Sequence, residues 1–227
     1  MRIMITGGHV TPAYAVIQEL QRRGYTKLFF LGRKYTDRAK KDVSFEYQEI
    51  NRIGIAFTHL TTGRLSRTVS IYWIYDFFSI FYGFFMSLVL LNKIRPHVIL
   101  SFGGYIALPV SIVAWFLGIR VVTHEQTIKP GLANKVIALI ADKVLVSFPA
   151  TVKQFPRHKT VLTGNPVRDE LNNKGTAVIK HKLVKPLLFI TGGSFRISCI
   201  KRAYRKDFAR FNKKIYHTAP NWQCFSV

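Results

Sequence analysis

Cysteine is scarce in this chain. Two occur in 227 residues, Cys199 and Cys224, both near the C-terminal end. That excludes a disulfide framework and a cysteine-based metal centre, and it fits a reducing compartment. Acidic side chains are also few. Eleven Asp and Glu stand against 34 Lys and Arg, a formal net charge of +23. The imbalance leaves two readings open: an anionic partner, either nucleic acid or an acidic membrane surface, or a solvated lysine-rich exterior. No recognised nucleic-acid motif and no basic strand interleaved with aromatics is present, so nucleic acid is not expected as a partner. No secretory leader is visible, because Met1–Thr6 runs straight into a glycine motif without a cleavage pattern. No internal repeat is apparent.

What is present is a core. Hydrophobic residues make up 48% of the chain, which excludes global disorder. Apolar β-branched runs alternate with helical stretches. Arg2–Thr6, Lys27–Leu31, Ile55–Phe57, His97–Leu100, Ile119–Thr123, Lys143–Ser147 and Thr160–Leu162 read as strands. Helices are expected over Pro12–Arg23, residues 68–93, Pro109–Leu117 and Pro130–Ile140; residues 33–52 are polar and resist assignment. Strands separated by helices imply right-handed βαβ crossovers, hence an α/β fold with a Rossmann-like parallel sheet.

Several of these strands end in residues that carry chemistry. Thr6-Gly7-Gly8-His9, Ser101-Phe102-Gly103-Gly104-Tyr105 and His124-Glu125-Gln126 each follow an apolar run. A Gly-Gly step between strand and helix lets backbone amides approach an anion or a sugar. In open α/β sheets ligands gather outside the carboxyl ends of the strands. A small-molecule site follows, and with it an enzyme.

The stretch Ile71–Leu91 holds 21 residues with one charge, Asp76. Asp76, Ser79, Gly83 and Ser87 fall within an arc of roughly 80° on one helix. The opposite side is aromatic. Three readings stand: a helix packed on the sheet, a peripheral helix whose Trp73, Phe77, Phe81 and Phe84 meet lipid, or a membrane span. A span interrupts the βαβ alternation and ranks last. Arg64, Arg67, Lys93 and Arg95 lie near enough in sequence to meet anionic headgroups.

Thr6-Gly7-Gly8-His9 with Pro12-Ala13, the Ser101–Tyr105 run with Pro109, His124-Glu125-Gln126, Pro130–Lys135, Gly164-Asn165-Pro166-Val167-Arg168 and Gly192-Gly193-Ser194 occur in this order. Together they resemble the MurG family of bacterial N-acetylglucosaminyltransferases, in glycosyltransferase family 28. The resemblance covers residues 1 to about 194. It implies a GT-B architecture. An acceptor-binding and membrane-docking domain spans 1–163, a hinge and linker 164–185, and the start of a donor-binding domain 186–227. It implies transfer of N-acetylglucosamine from UDP-N-acetylglucosamine to undecaprenyl-diphosphate-linked muramyl-pentapeptide, with inversion and with no metal or other cofactor. The work would be done peripherally, at the cytoplasmic face of the plasma membrane.

Under that resemblance His9 is the candidate base, with Glu125 orienting it or binding sugar hydroxyls. Thr6, Gly7, Gly8, Thr127, Arg168, Gly192, Gly193 and Ser194 are candidates for donor and diphosphate binding. Gly103, Gly104, Tyr105, Gln126 and Asn134 are candidates for the acceptor. Each has a plainer alternative: His9 as a loop-ordering residue, the glycines as tight turns, Glu125 as a helix cap, Gln126 and Asn134 as loop-shaping residues, Arg168 as a hinge ion pair.

The sequence departs from the family pattern in three places. The first glycine loop keeps only Thr-Gly-Gly-His of a longer run. Thr127 stands where the family has Asn. After Ser194 the βαβ rhythm stops, and the remaining residues are basic and unpatterned, as a frameshifted or truncated reading frame would be. The expectation is a chain impaired in turnover on its own. The alternative is a membrane-associated acceptor-binding subunit that works with a separate donor-binding chain.

Overall fold

The computed structural model describes residues 1–35, 43–63 and 73–168, with side chains of the third segment given from residue 78 onward. All of these residues lie in one unit, Met1–Gly175. Gly192, Gly193 and Ser194, the expected start of a second domain and the basic C-terminal stretch lie outside the described residues, as do Arg64 and Arg67.

Seven strands form one parallel sheet: β1 (Ile3–Thr6), β2 (Leu28–Gly32), β3 (Ala56–His59), β4 (Val98–Ser101), β5 (Arg120–Glu125), β6 (Lys143–Val146) and β7 (Thr160–Leu162). Their order is β3-β2-β1-β4-β5-β6-β7, so the direction of winding reverses between β1 and β4. A crevice opens at such a reversal, above the carboxyl ends of the strands. The helices are α1 (Val10–Arg22), α2 (Phe45–Arg52), α3 (Trp73–Ile94), α4 (Gly104–Phe116), α5 (Leu132–Ile140) and the single turn α6 (Pro149–Val152).

Alternation along the central strands builds two cores. Ile3 and Ile5 of β1 point to one face with Leu28 and Phe30 of β2, where Ala13 and Ile17 of α1 and Ile50 of α2 cover them. Met4 and Leu31 point to the other face, covered by Leu91 of α3, Ile106, Ala107 and Val110 of α4, and Ile137 of α5. Side chains on both faces are apolar because helices sit on both.

Three expectations change. The segment 33–52 holds a helix, α2, whose N-cap Ser44 accepts a hydrogen bond from Tyr47 N–H at 3.1 Å. Eight polar-rich residues carry too little periodicity to announce it. Second, α4 begins at Gly104 rather than near Pro109, which lies inside the helix. Proline favours a first turn, but burial of Ile106, Pro109, Val110 and Val113 outweighs the lost hydrogen bond. Third, α3 packs against α4, with its small residues turned inward toward the loop after β3. Ser79, Gly83 and Ser87 are buried, and Ser87 Oγ donates to Gly83 O at 2.6 Å. A Cβ at Gly83 would collide with Thr62 Oγ1, so the close approach requires glycine. The bulky side faces out, with Phe78, Phe81, Tyr82, Phe85, Leu88 and Val89 exposed. Phe84 is the exception among the expected docking residues that can be placed: it is partly buried and packs on the core. Among the described residues no helix is long and apolar enough to cross a membrane.

The β2–α2 joint hides an acid. Glu46 Oε2 accepts from Arg33 N–H at 3.1 Å, while its Oε1 is buried with no hydrogen-bond partner. Burial pushes the Glu46 carboxyl up to about 8. An acid with a raised folded-state pKa is protonated in the native state while the unfolded chain has already ionised. Stability therefore falls as pH rises from the ordinary value of 4.5 toward 8. Glu46→Gln removes this penalty. In chemical denaturation the variant is expected to exceed the parent by roughly 2–3 kcal/mol at pH 7 and to match it near pH 4. A variant less stable than the parent at pH 7 would contradict the assignment.

Candidate functional site

Thr6, Ser101 and Thr123 lie side by side in register at the ends of β1, β4 and β5. Just beyond them the two glycine turns meet. Phe102 N–H donates to Thr6 O at 2.7 Å, and Gly8 N–H donates to Gly103 O at 2.9 Å. Gly7 lies so close to Phe102 that a Cβ would sit 2.6 Å from the Phe102 Cβ. Gly103 and Gly104 both have positive φ, +75° and +85°, and a Cβ on Gly104 would stand 3.0 Å from Gly8 N. The pair of turns is thus a single fused structure at the winding reversal.

The fusion uses up donors expected for a ligand. Gly8 N–H is taken by Gly103 O, and Gly103 N–H donates to Ser101 Oγ at 3.2 Å. Donors left for an anion include the N-terminal turn of α4, which starts at Gly104 with its first amides outside the helical ladder. Thr6 is fully buried under the turns, its hydroxyl without a partner, so it supports the loop rather than touching a ligand. Tyr105 is partly buried and packs on the core beneath α4.

His9 occupies the N-cap position of α1 in an extended conformation, and its side chain makes no cap hydrogen bond. The residue is open to solvent, yet protein rings it closely enough that desolvation lowers its pKa; the Glu125 carboxylate, acting through space, pulls it back up. The positive end of α1 works in the same direction as desolvation. The result is a neutral imidazole at neutral pH, able to take a proton.

Glu125 is buried, at 2% exposure, and saturated with donors. Oε1 accepts from Thr127 N–H at 2.8 Å and from the Thr127 hydroxyl at 2.6 Å. Oε2 accepts from Gly131 N–H at 3.1 Å and from Asn134 Nδ2 at 2.8 Å. It therefore shapes the loop 126–131 and the start of α5, and reaches His9 through space. Asn134, expected at the acceptor, is buried: it also donates to His124 O at 3.2 Å and accepts from Thr123 Oγ1 at 3.1 Å. Its carboxamide fills the space beside Gly103, where a Cβ would lie 2.7 Å from Asn134 Oδ1. Thr127 spends its single hydroxyl proton between Glu125 and Lys129 O, 2.8 Å away, which leaves no donor for a sugar nucleotide. Gln126 is half-buried, and its Oε1 has no partner.

Arg168 is held elsewhere than at a phosphate. Its guanidinium lies 4.3 Å from the Tyr14 ring centroid, and Nη1 pairs with Glu49 Oε2 at 2.7 Å. The segment Gly164–Arg168 thus folds back over α1 and α2, the hinge ion pair of the plainer reading. His124, quoted in a motif but given no role from sequence, anchors the same segment. Its Nε2 lies 3.2 Å from Gly164 O and 3.4 Å from Ser147 Oγ, which fixes the proton on Nε2. Desolvation lowers the His124 pKa, with Gly164 O and Glu125 opposing. Glu49 and His124 carry no local signal of this work, because their partners lie far away in sequence. Among the described residues no group of His, Cys, Asp and Glu is arranged to hold a metal ion.

Residues 6–146 match the profile of the Glycosyltransferase family 28 N-terminal domain. The chain belongs to glycosyltransferase family 28. Family 28 relatives include the UDP-N-acetylglucosamine–N-acetylmuramyl-(pentapeptide) pyrophosphoryl-undecaprenol N-acetylglucosamine transferase of Lachnospira eligens, 36% identical over 85% of this chain and 54% of that protein. The protein of the same description from Clostridium tetani is 32% identical over 94% of this chain and 59% of its own length. The chain spans just over half the length of these curated relatives. Among solved structures, Acinetobacter baumannii MurG superposes with a TM-score of 0.57 at 25% identity, over 71% of this chain and 44% of that one. A Rickettsia bellii UDP-N-acetylglucosamine 2-epimerase superposes at 0.53 with 16% identity, over 80% and 49%, and shares the fold.

The coupling of His9 to Glu125 is measurable. Followed by NMR, the His9 ring is expected to titrate below 6.5, and Glu125→Gln is expected to lower its midpoint further, because the carboxylate no longer favours the imidazolium. An unchanged or raised midpoint in the variant would break the link.

Proposed function

We propose that this chain is the acceptor-binding part of an N-acetylglucosaminyltransferase of the MurG type. Its substrates would be UDP-N-acetylglucosamine and undecaprenyl-diphosphate-linked N-acetylmuramyl-pentapeptide. The reading is carried by one observation: His9 stands at the N-cap of α1, beside the fused glycine turns and within electrostatic reach of Glu125. The relatives' names supply the substrates.

In this mechanism the neutral His9 imidazole takes the proton of the muramyl C4 hydroxyl. The freed oxygen pair attacks C1 of the N-acetylglucosamine from the face opposite the leaving group. The C1–O bond to the diphosphate breaks with inversion, and UDP leaves with that electron pair. Glu125 stabilises the imidazolium and does not take the proton, its four hydrogen bonds fixing it in place. The first turn of α4 offers backbone N–H groups and the positive end of the helix to the acceptor diphosphate.

The membrane reading rests on surface chemistry. α3 packs against α4, at whose end Trp115 and Phe116 are exposed, Phe116 at 75%. Lys93, Arg95 and Arg120 are exposed at the same end of the sheet, where α3 runs into β4 and α4 into β5. Apolar rings flanked by cations fit an anionic bilayer surface, with peripheral binding.

Two experiments test the proposal. With a short-chain lipid-linked muramyl-pentapeptide, His9→Ala placed in an active full-length context is expected to cut transfer by about 100-fold or more, with acceptor affinity changed by less than about threefold. Retention of parental transfer would remove His9 from the chemistry. In vesicle co-sedimentation, Phe85→Glu with Phe116→Glu is expected to weaken binding to anionic vesicles by at least about tenfold. Undiminished binding would place the docking surface elsewhere.

A further inference from the structure

The carboxyl ends of β2 and β3 hold a second group of polar residues that the mechanism above does not use. Lys34 is partly buried, and its Nζ lies 5.0 Å from the Tyr47 ring centroid and 5.6 Å from that of Tyr35. Its backbone N–H donates to His59 Nδ1 at 3.1 Å. The His59 ring meets Tyr35 edge-on at 5.9 Å, and its Nε2 lies 3.1 Å from Thr61 Oγ1. Tyr47 is held in turn by Phe57, edge-on at 5.0 Å. Residues from three separate segments therefore converge around one ammonium.

Among the described residues that ammonium forms no ion pair. The nearest acid in sequence on α2, Glu46, turns away from it and bonds Arg33 N–H, and burial keeps it uncharged at neutral pH. Aromatic faces attract the ammonium but do not neutralise it. A partly desolvated cation with planar, apolar walls suits a carboxylate carried on a peptide, whose body lies on the rings. A phosphate dianion instead favours clustered amides or a guanidinium fork.

Position narrows the source. β2 is the direct neighbour of β1, and Leu31 pairs with Thr6, so Lys34 stands one strand over and three residues beyond the level of Thr6, just past the first glycine turn. That offset is on the order of 10 Å, which a few extended residues span. A diphosphate at the first turn of α4 lies one strand further off, across β1, so a ligand anchored there reaches Lys34 only with a long, flexible arm, and a sugar carrying a peptide has one.

We propose that Lys34, seated over Tyr35 and Tyr47 beside His59 at the carboxyl ends of β2 and β3, is a subsite for a carboxylate of the acceptor's peptide. This rests on the acceptor proposed above. The test uses the full chain and two water-soluble probes followed by calorimetry: N-acetylmuramyl-pentapeptide, and the same compound with its peptide carboxyl groups amidated. The wild-type chain is expected to bind the acid about tenfold more tightly than the amide. Lys34→Gln is expected to bind both as weakly as the wild type binds the amide, and Tyr47→Phe, which keeps the ring face, to retain the preference. Equal affinity of the wild type for acid and amide overturns the subsite, and so does a preference that survives in Lys34→Gln. Inorganic phosphate binding the wild type more tightly than the acid, and lost in Lys34→Gln, also overturns it. A lipid-linked muramyl compound without peptide separates the two levels. If it binds while acid and amide do not differ, only the subsite falls; if no muramyl compound binds in any form, both readings fall.

Discussion

The hydrogen bond from Gly8 N–H to Gly103 O holds the site together. Two turns from opposite halves of the winding pattern, 95 residues apart in sequence, become one rim because their strands are neighbours and glycines stand where they meet. Any Cβ at Gly7 would strike Phe102, and any at Gly104 would press on Gly8. His9, α1 and the start of α4 take their places from this contact. The same contact sets a limit: amides that bond each other cannot bond a ligand, so the anion-binding capacity shifts to the helix that follows the second turn.

Behind the rim lies a polar layer organised by one carboxylate. Glu125 collects donors from Thr127, Gly131 and Asn134, and Asn134 passes the connection on to Thr123, His124 and the space beside Gly103. A buried charge is tolerable when its lone pairs are satisfied. This arrangement gives Glu125 a fixed position from which to bias His9 without contact. Thr127 belongs to that scaffold through its hydroxyl, which lies between Glu125 and Lys129 O.

Much of the fold was legible because its signals are local. Apolar runs ending in Gly-Gly announced β1 and β4, and the order of motifs announced the family. The helix α2 was not legible, since its cap depends on Ser44 folding back to Arg33 rather than on apolar spacing. The stripe on α3 was seen, but the stripe alone does not say which side packs. Thr62, set against Gly83, decides it by admitting a small residue and refusing a ring. At the site, residue types and their clustering were readable, while roles that depend on distant partners were not. Arg168 meets Glu49 and Tyr14 only after the chain has crossed the sheet. Thr6 looks open in sequence, beside two glycines, yet the joined turns roof it over.

The pairing of β1 with β4 has a kinetic side. β1 precedes β4 in the chain by the whole of β2, β3 and the long α3, so its partner on that flank arrives only after they have been made. Closure of so large a loop is slow relative to local helix formation. During that interval the nascent chain can assemble its β1-β2-β3 half while the rim that seats His9 does not yet exist. The rim that seats His9 therefore waits on the whole intervening segment, and a fault anywhere in it would reach the site as a delay.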